Sequence, residues 1–316
     1  MDTVKYTFLL AAFKTDYLKE AINSILNQSY KNFKLVVSDD CSPNNVKGVV
    51  DQFCDNRMEY VRNDHNIGGY HLVDHWNLQL QRDACSEYVI MASDDDLYDK
   101  DFLKTIDELT IKYPNVDLLR ARCRIIDIKG DISYIDDPAD EFQTELQFCE
   151  NMYNCRHIRS FANFVFKLDS LKTKGGFINF PYAWYADAVS TLIMSHNGVA
   201  HTQVPLFSYR SSPLAISSTR NKIVIKGKME AALMNYKWMN KFIQDLDYKD
   251  NKLNNNLNTS FISLFRHDAF ATIISYWGAF SIVEKIKIFK LLKEGAYFSL
   301  PSFGKELFIY YMGKII

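Results

Sequence analysis

Short apolar runs alternate with amphipathic stretches through the first hundred residues. Residues 4–12 form an apolar run of strand length. Residues 17–28 then place Leu18, Ala21, Ile22, Ile25 and Leu26 at helical spacing. The alternation repeats: strand patterns over 33–38, 58–61 and 88–92 are followed by helix patterns over 46–53, 71–82 and 101–112. Such alternation predicts parallel βαβ units, and hence an α/β fold with an open, mostly parallel, Rossmann-like sheet flanked by helices. Residues 115–215 are mixed, with strand-like pieces at 116–121, 123–128, 161–166 and 204–209, a Gly175-Gly176-Phe177 turn and a helix over 184–194. Beyond residue 220 the pattern is helical, broken by an Asn-rich stretch over 251–258.

Open α/β sheets bind ligands beyond the C-terminal ends of their strands. Three such ends carry chemistry here: Asp39, the Asn66-Ile67-Gly68 loop, and Ser93-Asp94-Asp95-Asp96. The last is the most informative. Three adjacent carboxylates repel one another, and burying each costs desolvation. A divalent cation removes the conflict, because Mg²⁺ and Mn²⁺ take carboxylate oxygens and keep phosphate and water in their shell. The cluster therefore points to a metal–diphosphate site. A solvated turn with helix-capping aspartates is the alternative, and the gathering of three ligand-type loops at one sheet edge weighs against it.

Composition adds limits. The 316 residues are 47% hydrophobic and 24% charged, a soluble globular balance. The net charge of −1 conceals an asymmetry: residues 1–220 hold 23 Lys and Arg against 30 Asp and Glu, and the rest hold 14 against 8. Six scattered cysteines with no Cys-x-x-Cys pair suggest neither a disulfide framework nor a zinc site, which fits a reducing cytosol. The run Tyr6–Phe13 imitates a signal-peptide core, but only Lys5 precedes it as a basic residue and no small-x-small cleavage pattern follows before Lys14 and Asp16. The uncharged run 269–283 is shorter than the roughly 20 residues a bilayer span needs. The tail interleaves Ile282, Val283, Ile286, Ile288, Leu291 and Leu292 with Lys285, Lys287, Lys290 and Lys293. A basic amphipathic stretch of this kind suits an anionic membrane surface, packing on its own core, or a second copy of the chain. The expected location is the cytoplasm, at the inner membrane face if the tail adheres there, and no nucleic-acid partner is expected.

Several stretches together resemble a known family. They are Leu9-Leu10-Ala11-Ala12-Phe13, Leu18 to Phe33, Leu35 to Ser42, Asn66-Ile67-Gly68, Glu87-Tyr88-Val89 and Ser93 to Tyr98. They resemble the nucleotide-sugar half of a family 2 glycosyltransferase with the GT-A fold, of the type that builds bacterial surface polysaccharide. The run from Ser24 to Phe33, with Asp39-Asp40 just after it, is the most specific part. Gly175-Gly176-Phe177, Ala186-Asp187 and Tyr209-Arg210 resemble the acceptor-side landmarks. The resemblance covers residues 1–220. It implies a nucleotide-sugar half over 1–103, an acceptor half over 104–220 and a C-terminal helical extension over 221–316. The sequence departs where the family often has Pro-Thr-Tyr-Asn, Asp-Asp-Gly-Ser and Glu-Asp; here these are Ala11-Ala12-Phe13-Lys14, Asp39-Asp40-Cys41-Ser42 and Ala186-Asp187. The departures leave the carboxylates in place.

The resemblance implies a metal-dependent, inverting transfer from a nucleotide-sugar donor, UDP-linked, to a hydroxyl of a glycan or lipid-linked glycan. Asp95 would be the principal ligand of Mn²⁺ or Mg²⁺, with Asp96 a second ligand or the cap of the next helix, and His201 a further ligand. Asp94 would lie near the ribose or the metal's outer shell, Asp39 on the base, and Ala11, Phe13, Asn66 and Gly68 around the nucleotide. Arg210 would reach the diphosphate or an acidic acceptor. Asp187 would be the general base, with Trp184 and Tyr185 stacking on the acceptor sugar. Ordinary roles compete at several positions: an Asx turn at Asp39, core packing of Trp184 and Tyr185, a surface ion pair at Arg210, a structural His201, a helix-surface Asp187. Two other classes of function are open. A nucleotidyltransferase needs a Gly-rich first loop, and Leu10 to Thr15 has no glycine. A non-catalytic glycan-binding protein would not need Asp95 and Asp187 together.

Overall fold

A computed structural model describes residues 4–153, 158, 160–215, 218, 219, 221–245, 277–294 and 304. The N-terminal half runs β1 (Tyr6–Ala12), α1 (Leu18–Leu26), β2 (Phe33–Asp39), α2 (Val46–Val50), β3 (Met58–Arg62), α3 (Leu72–Arg82) and β4 (Tyr88–Ser93). It continues with β5 (Leu97–Tyr98), α4 (Phe102–Lys112), β6 (Leu118–Ile126), β7 (Ile132–Ile135), β8 (Phe142–Gln143) and α5 (Glu145–Tyr153). Then follow β9 (Phe164–Lys167), α6 (Leu168–Thr173), α7 (Ala186–Met194) and β10 (Val199–Arg210).

The strands form one sheet in the order β3-β2-β1-β4-β9-β6-β10-β5, with β7 beside β6 and β8 beside β10. β1, β2, β3 and β4 pair in parallel, as do β6 and β10. β9 is antiparallel to both β4 and β6, so all six long strands run in one direction. Their apolar runs follow from burial on both faces, as a helix-covered parallel sheet requires. Phe8 is fully buried and meets Phe33, Tyr98 and Phe102 at ring-centroid distances of 5.1–6.2 Å. Register levels the strand ends: Ala12 lies opposite Asp39, and Ala11 opposite Ser93. The three chemistry-bearing segments therefore share one edge.

The acceptor-side half differs from the sequence pattern in places. The two strand pieces at 116–121 and 123–128 are a single strand, β6. β10 starts five residues before the apolar run at 204–209, because His201 and Thr202 are buried polar residues within it. The apolar run at 161–166 begins as a 3-10 turn over Phe161–Asn163 before β9.

This sheet unit comprises residues up to Asn179 and Ala186–Ser218; a second unit comprises Phe180–Tyr185 and the chain from Thr219. The second unit contains α8 (Lys222–Asp245) and α9 (Ile282–Glu294). Glu284 receives Lys222 at 2.8 Å and Lys226 at 2.5 Å. On α9, Ile288 is buried, while Ile282, Val283 and Ile286 are exposed. The Asn-rich stretch 251–258 and the side chains of Leu291, Leu292 and Lys293 lie outside the described residues. Among the described residues, no helix is long and apolar enough to cross a membrane.

Candidate active site

A cavity of about 590 Å³ opens at the shared strand edge, within the sheet unit. That size suits a small-molecule ligand. Ala11, Phe13, Trp76, Phe161 and Leu214 supply apolar wall, and Asp40, Asp94, Asp95 and Asp96 supply carboxylates. Trp76 and Phe161 stack with centroids 4.7 Å apart.

The three aspartates after β4 have different partners. Asp94 Oδ2 accepts the backbone N–H groups of Phe13 (2.9 Å) and Lys14 (2.7 Å), tying the end of β1 to the end of β4. The Lys14 ammonium lies between Asp94 Oδ1 (3.1 Å) and Asp95 Oδ2 (2.7 Å). Burial alone would lower the Lys14 pKa, but the two carboxylates raise it well above the usual lysine range. Burial raises the Asp94 pKa, and Lys14 opposes that shift. Asp96 Oδ2 accepts from Ser93 Oγ (2.6 Å) and Oδ1 from the Arg210 backbone N–H (2.9 Å). Burial and the neighbouring Asp95 charge push the Asp96 pKa up to about 7. Asp96 therefore joins β4 to β10 and does not cap α4. Gln28, from the specific 24–33 run, fixes the segment beyond: it donates to Asp99 O (2.7 Å) and accepts from Leu103 N–H (2.9 Å).

The nucleotide-side residues divide. Ala11, Phe13, Asn66 and Gly68 line the cavity. Asp39 does not. Its carboxylate is fully buried and accepts from Ser42 N–H, Tyr60 Oη and the Arg62 guanidinium. The next residue, Asp40, lines the cavity. Its oxygens accept from Asn63 Nδ2 (2.9 Å), Ile67 N–H (3.0 Å), Asn66 Nδ2 (2.9 Å) and Gly68 N–H (2.6 Å). The loop wraps this carboxylate so closely that a Cβ at Gly68 would fall 2.8 Å from Asp40 Oδ2.

Two more residues stand apart from the cavity wall. Arg210 is not among the cavity-lining residues and serves as a buried brace. Its Nε donates to Asp95 O (2.9 Å), an Nη to Glu20 Oε2 (2.8 Å), and its guanidinium lies 4.2 Å from the Tyr17 ring. His201 pairs with Arg120 near the start of β6, nine residues before Arg210. Bulges shorten that interval to six residues on β6, from Arg120 to Ile126, which at extended-strand rise puts His201 ~20 Å from the acidic rim. It is buried with its ring 6.2 Å from Phe148, so it is no ligand of a cation at Asp95.

Asp187 opens α7, where its Oδ1 accepts from Ala188 N–H (2.8 Å); it is not among the cavity-lining residues. In the second unit, Lys228 Nζ sits 4.2 Å over the Trp184 ring, and Tyr185 meets Trp184 edge-on at 6.0 Å. Tyr182, Ala183 and Tyr185 have φ of 56°, 54° and 67°. Left-handed backbone at non-glycine residues costs on the order of 1 kcal/mol each, a strain that clusters at functional loops.

Sequence reasoning passed over Lys14, His75, Trp76 and Phe161 as wall residues and left Asp40 as structural. Lys14 carried a signal as one of the departures from the family pattern, and Asp40 as the neighbour of Asp39 in the Asp-Asp pair.

Among the described residues, no group of three or more His, Cys, Asp or Glu side chains could enclose a metal. The rim offers two adjacent carboxylates already holding a cation, the Lys14 ammonium. Mg²⁺-type sites use one or two carboxylates and leave the remaining positions to substrate phosphates and water, so Asp94 and Asp95 fit such an ion.

Residues 10–161 match the model of glycosyl transferase family 2. A Bacillus subtilis (strain 168) protein named for teichuronic acid biosynthesis, the glycosyltransferase TuaG, is 30% identical over 91 residues, covering 28% of this chain and 34% of that protein. The structure of S. aureus TarS 1-349 in complex with UDP-GlcNAc superposes with a TM-score of 0.70 at 16% identity, over 92% of this chain and 80% of that one. The Pyrobaculum calidifontis mannosyltransferase PcManGT, in complex with GDP-Man and Mn²⁺, gives 0.52 at 15% identity, over 93% and 80%. At such identities the likeness is one of fold, and the fold is GT-A. The family match runs from within β1 through the acidic rim, so residues 10–161 carry a glycosyl transferase family 2 domain.

Proposed function

We propose that this protein transfers a sugar from a nucleoside diphosphate donor, UDP-linked, to a hydroxyl of a glycan or lipid-linked glycan, with inversion, in surface-polysaccharide synthesis. One observation carries the reading: adjacent carboxylates and a cation lie on the rim of a mostly apolar cavity at the C-terminal strand edge. The relatives' names point the same way, to UDP-GlcNAc on one and teichuronic acid synthesis on another. Asp94 and Asp95 would hold Mg²⁺ or Mn²⁺, and that ion would stabilise charge on the departing diphosphate. Phe13, half-exposed on the cavity wall, offers a face to the base. The Asn66–Gly68 loop, fixed by Asp40, closes on the nucleotide. Asp187 takes the proton from the acceptor hydroxyl as that oxygen attacks the anomeric carbon opposite the leaving group. Trp184 and Tyr185, on the strained turn before it, stack on the acceptor sugar. The 221–316 extension holds the enzyme at an anionic membrane surface on the cytoplasmic side, or at a second copy.

The test is a thermal-shift series with UDP-, GDP- and dTDP-sugars, with and without Mn²⁺, on the wild type and Asp187→Asn. Metal-dependent stabilisation by UDP-sugars, retained in a variant that no longer transfers, is the expected result. Stabilisation by none of them, with or without metal, would end the proposal.

A further inference from the structure

We propose that Lys14 is a built-in counter-cation. Its ammonium holds the position between Asp94 and Asp95 until a divalent ion arrives with the nucleotide, and it then swings into the cavity as a contact for the diphosphate. The inference rests on the donor site proposed above.

Geometry makes the two cations alternatives. Lys14 Nζ is 2.7 Å from Asp95 Oδ2 and 3.1 Å from Asp94 Oδ1. An ion bridging the same two oxygens must occupy the same space. A dication beside a trapped ammonium would also be repelled with no water between them. The ammonium is needed only while the site is empty. The Asp94 and Asp95 side chains are 6% and 11% exposed, and two such carboxylates without a partner would repel and carry unrelieved desolvation.

The chain is built to release the side chain without losing the loop. Asp94 Oδ2 holds this segment through the backbone N–H groups of Phe13 and Lys14, independently of the lysine side chain. The Lys14 side chain is 27% exposed and lines the cavity, so its four-carbon stem has room to turn. Lysine suits this better than arginine would: a compact ammonium on a flexible stem exchanges partners, whereas a guanidinium fork locks onto a carboxylate.

Coupling follows. A divalent ion alone must displace the ammonium and gains two carboxylates. A diphosphate arriving with it accepts the displaced ammonium and fills the open metal positions. Metal and nucleotide therefore raise each other's affinity, and Lys14 sets the size of that effect.

The test measures Mn²⁺ affinity calorimetrically for the wild type, Lys14→Met and Lys14→Gln, each with and without UDP. Both variants are expected to bind Mn²⁺ at least tenfold more tightly than wild type without UDP, and to gain less affinity when UDP is added. Equal or weaker Mn²⁺ binding by the variants, with wild type binding Mn²⁺–UDP normally, overturns the inference and leaves the metal-site reading standing. Failure of the wild type to bind Mn²⁺ even with UDP overturns both. A pair of wild-type crystal structures, without ligands and with UDP and Mn²⁺, needs no variant: Nζ is expected to leave Asp95 in the second, and finding it still there refutes the proposal.

Discussion

Replacing Arg210 with Met separates two readings of that residue, as a diphosphate contact or as a brace behind the rim. The structure supports the brace, and its cost can be worked out contact by contact. The guanidinium donates to Asp95 O at 2.9 Å and to Asp127 O at 3.4 Å. Leaving the first carbonyl without its charged donor costs about 1–3 kcal/mol. The ring contact with Tyr17 at 4.2 Å adds about 1 kcal/mol in this partly dry setting. The ion pair adds less than about 1 kcal/mol, because the Glu20 side chain is 55% exposed. Methionine keeps most of the apolar stem, so the cavity term is small. The sum is about 2–5 kcal/mol, which for a domain of this size lowers the melting temperature by roughly 4–20 °C. Thermal denaturation of the ligand-free protein, followed by circular dichroism, reads it directly. Arg210→Lys should fall between the two, keeping charge but losing the fork. A variant that melts within about 2 °C of wild type but no longer binds UDP would refute the brace and restore the diphosphate role.

Three further outcomes are expected. Gly68→Ala places a methyl 2.8 Å from Asp40 Oδ2 without any backbone strain, so the loop must move off its carboxylate; UDP affinity by calorimetry should fall about tenfold, a cost of ~1.4 kcal/mol, and unchanged affinity would disconnect the loop from the nucleotide. His75 is buried against Ser38, and burial holds its pKa below the usual value despite Asp40 nearby. A depressed folded-state pKa means its stabilising contribution is present above the unfolded value near 6.5 and is lost as pH falls through the folded one; His75→Asn should flatten the fall in urea stability below that value, and an unchanged pH profile would show that other groups carry it. Asp187→Asn should abolish transfer while leaving donor binding within about twofold; loss of donor affinity would assign Asp187 to the nucleotide instead.

The N-terminal half was legible because its strands are buried on both faces, so each appears as an apolar run bounded by turn residues. β1, β2, β3 and β4 fall within two residues of their sequence ranges. The same rule fails on the acceptor side. β7 carries Ile132, Tyr134 and Ile135 in exposed positions, and the first part of β10 buries His201 and Thr202 among apolar neighbours, so neither follows the pattern of a half-buried strand. The site was legible as a location and not as an assignment. Consecutive residues at a strand end project to opposite sides. Nothing in Asp39-Asp40 says which one faces the cavity, and the answer is Asp40. Arg210 was recognisable as a landmark, but its direction depends on Glu20 and Tyr17, both nearly two hundred residues earlier.

The three successive aspartates show why one charged tripeptide is tolerated at the end of a buried strand. No two of them share the same pair of partners. Asp94 meets backbone amides of the neighbouring strand end, Asp95 meets an ammonium, and Asp96 meets a hydroxyl and the amide of Arg210. The outer two carboxylates are thereby fixed by the fold, and they hold β1 and β10 in register around the middle one. Asp94 shares the Lys14 ammonium but keeps its two backbone amides, whereas Asp95 is held through that flexible side chain, and its own carbonyl is steadied from behind by Arg210. A ligand exchange at Asp95 therefore disturbs one long, mobile side chain and no backbone hydrogen bond. The carboxylate best placed to take a metal is the one whose present partner can leave most cheaply.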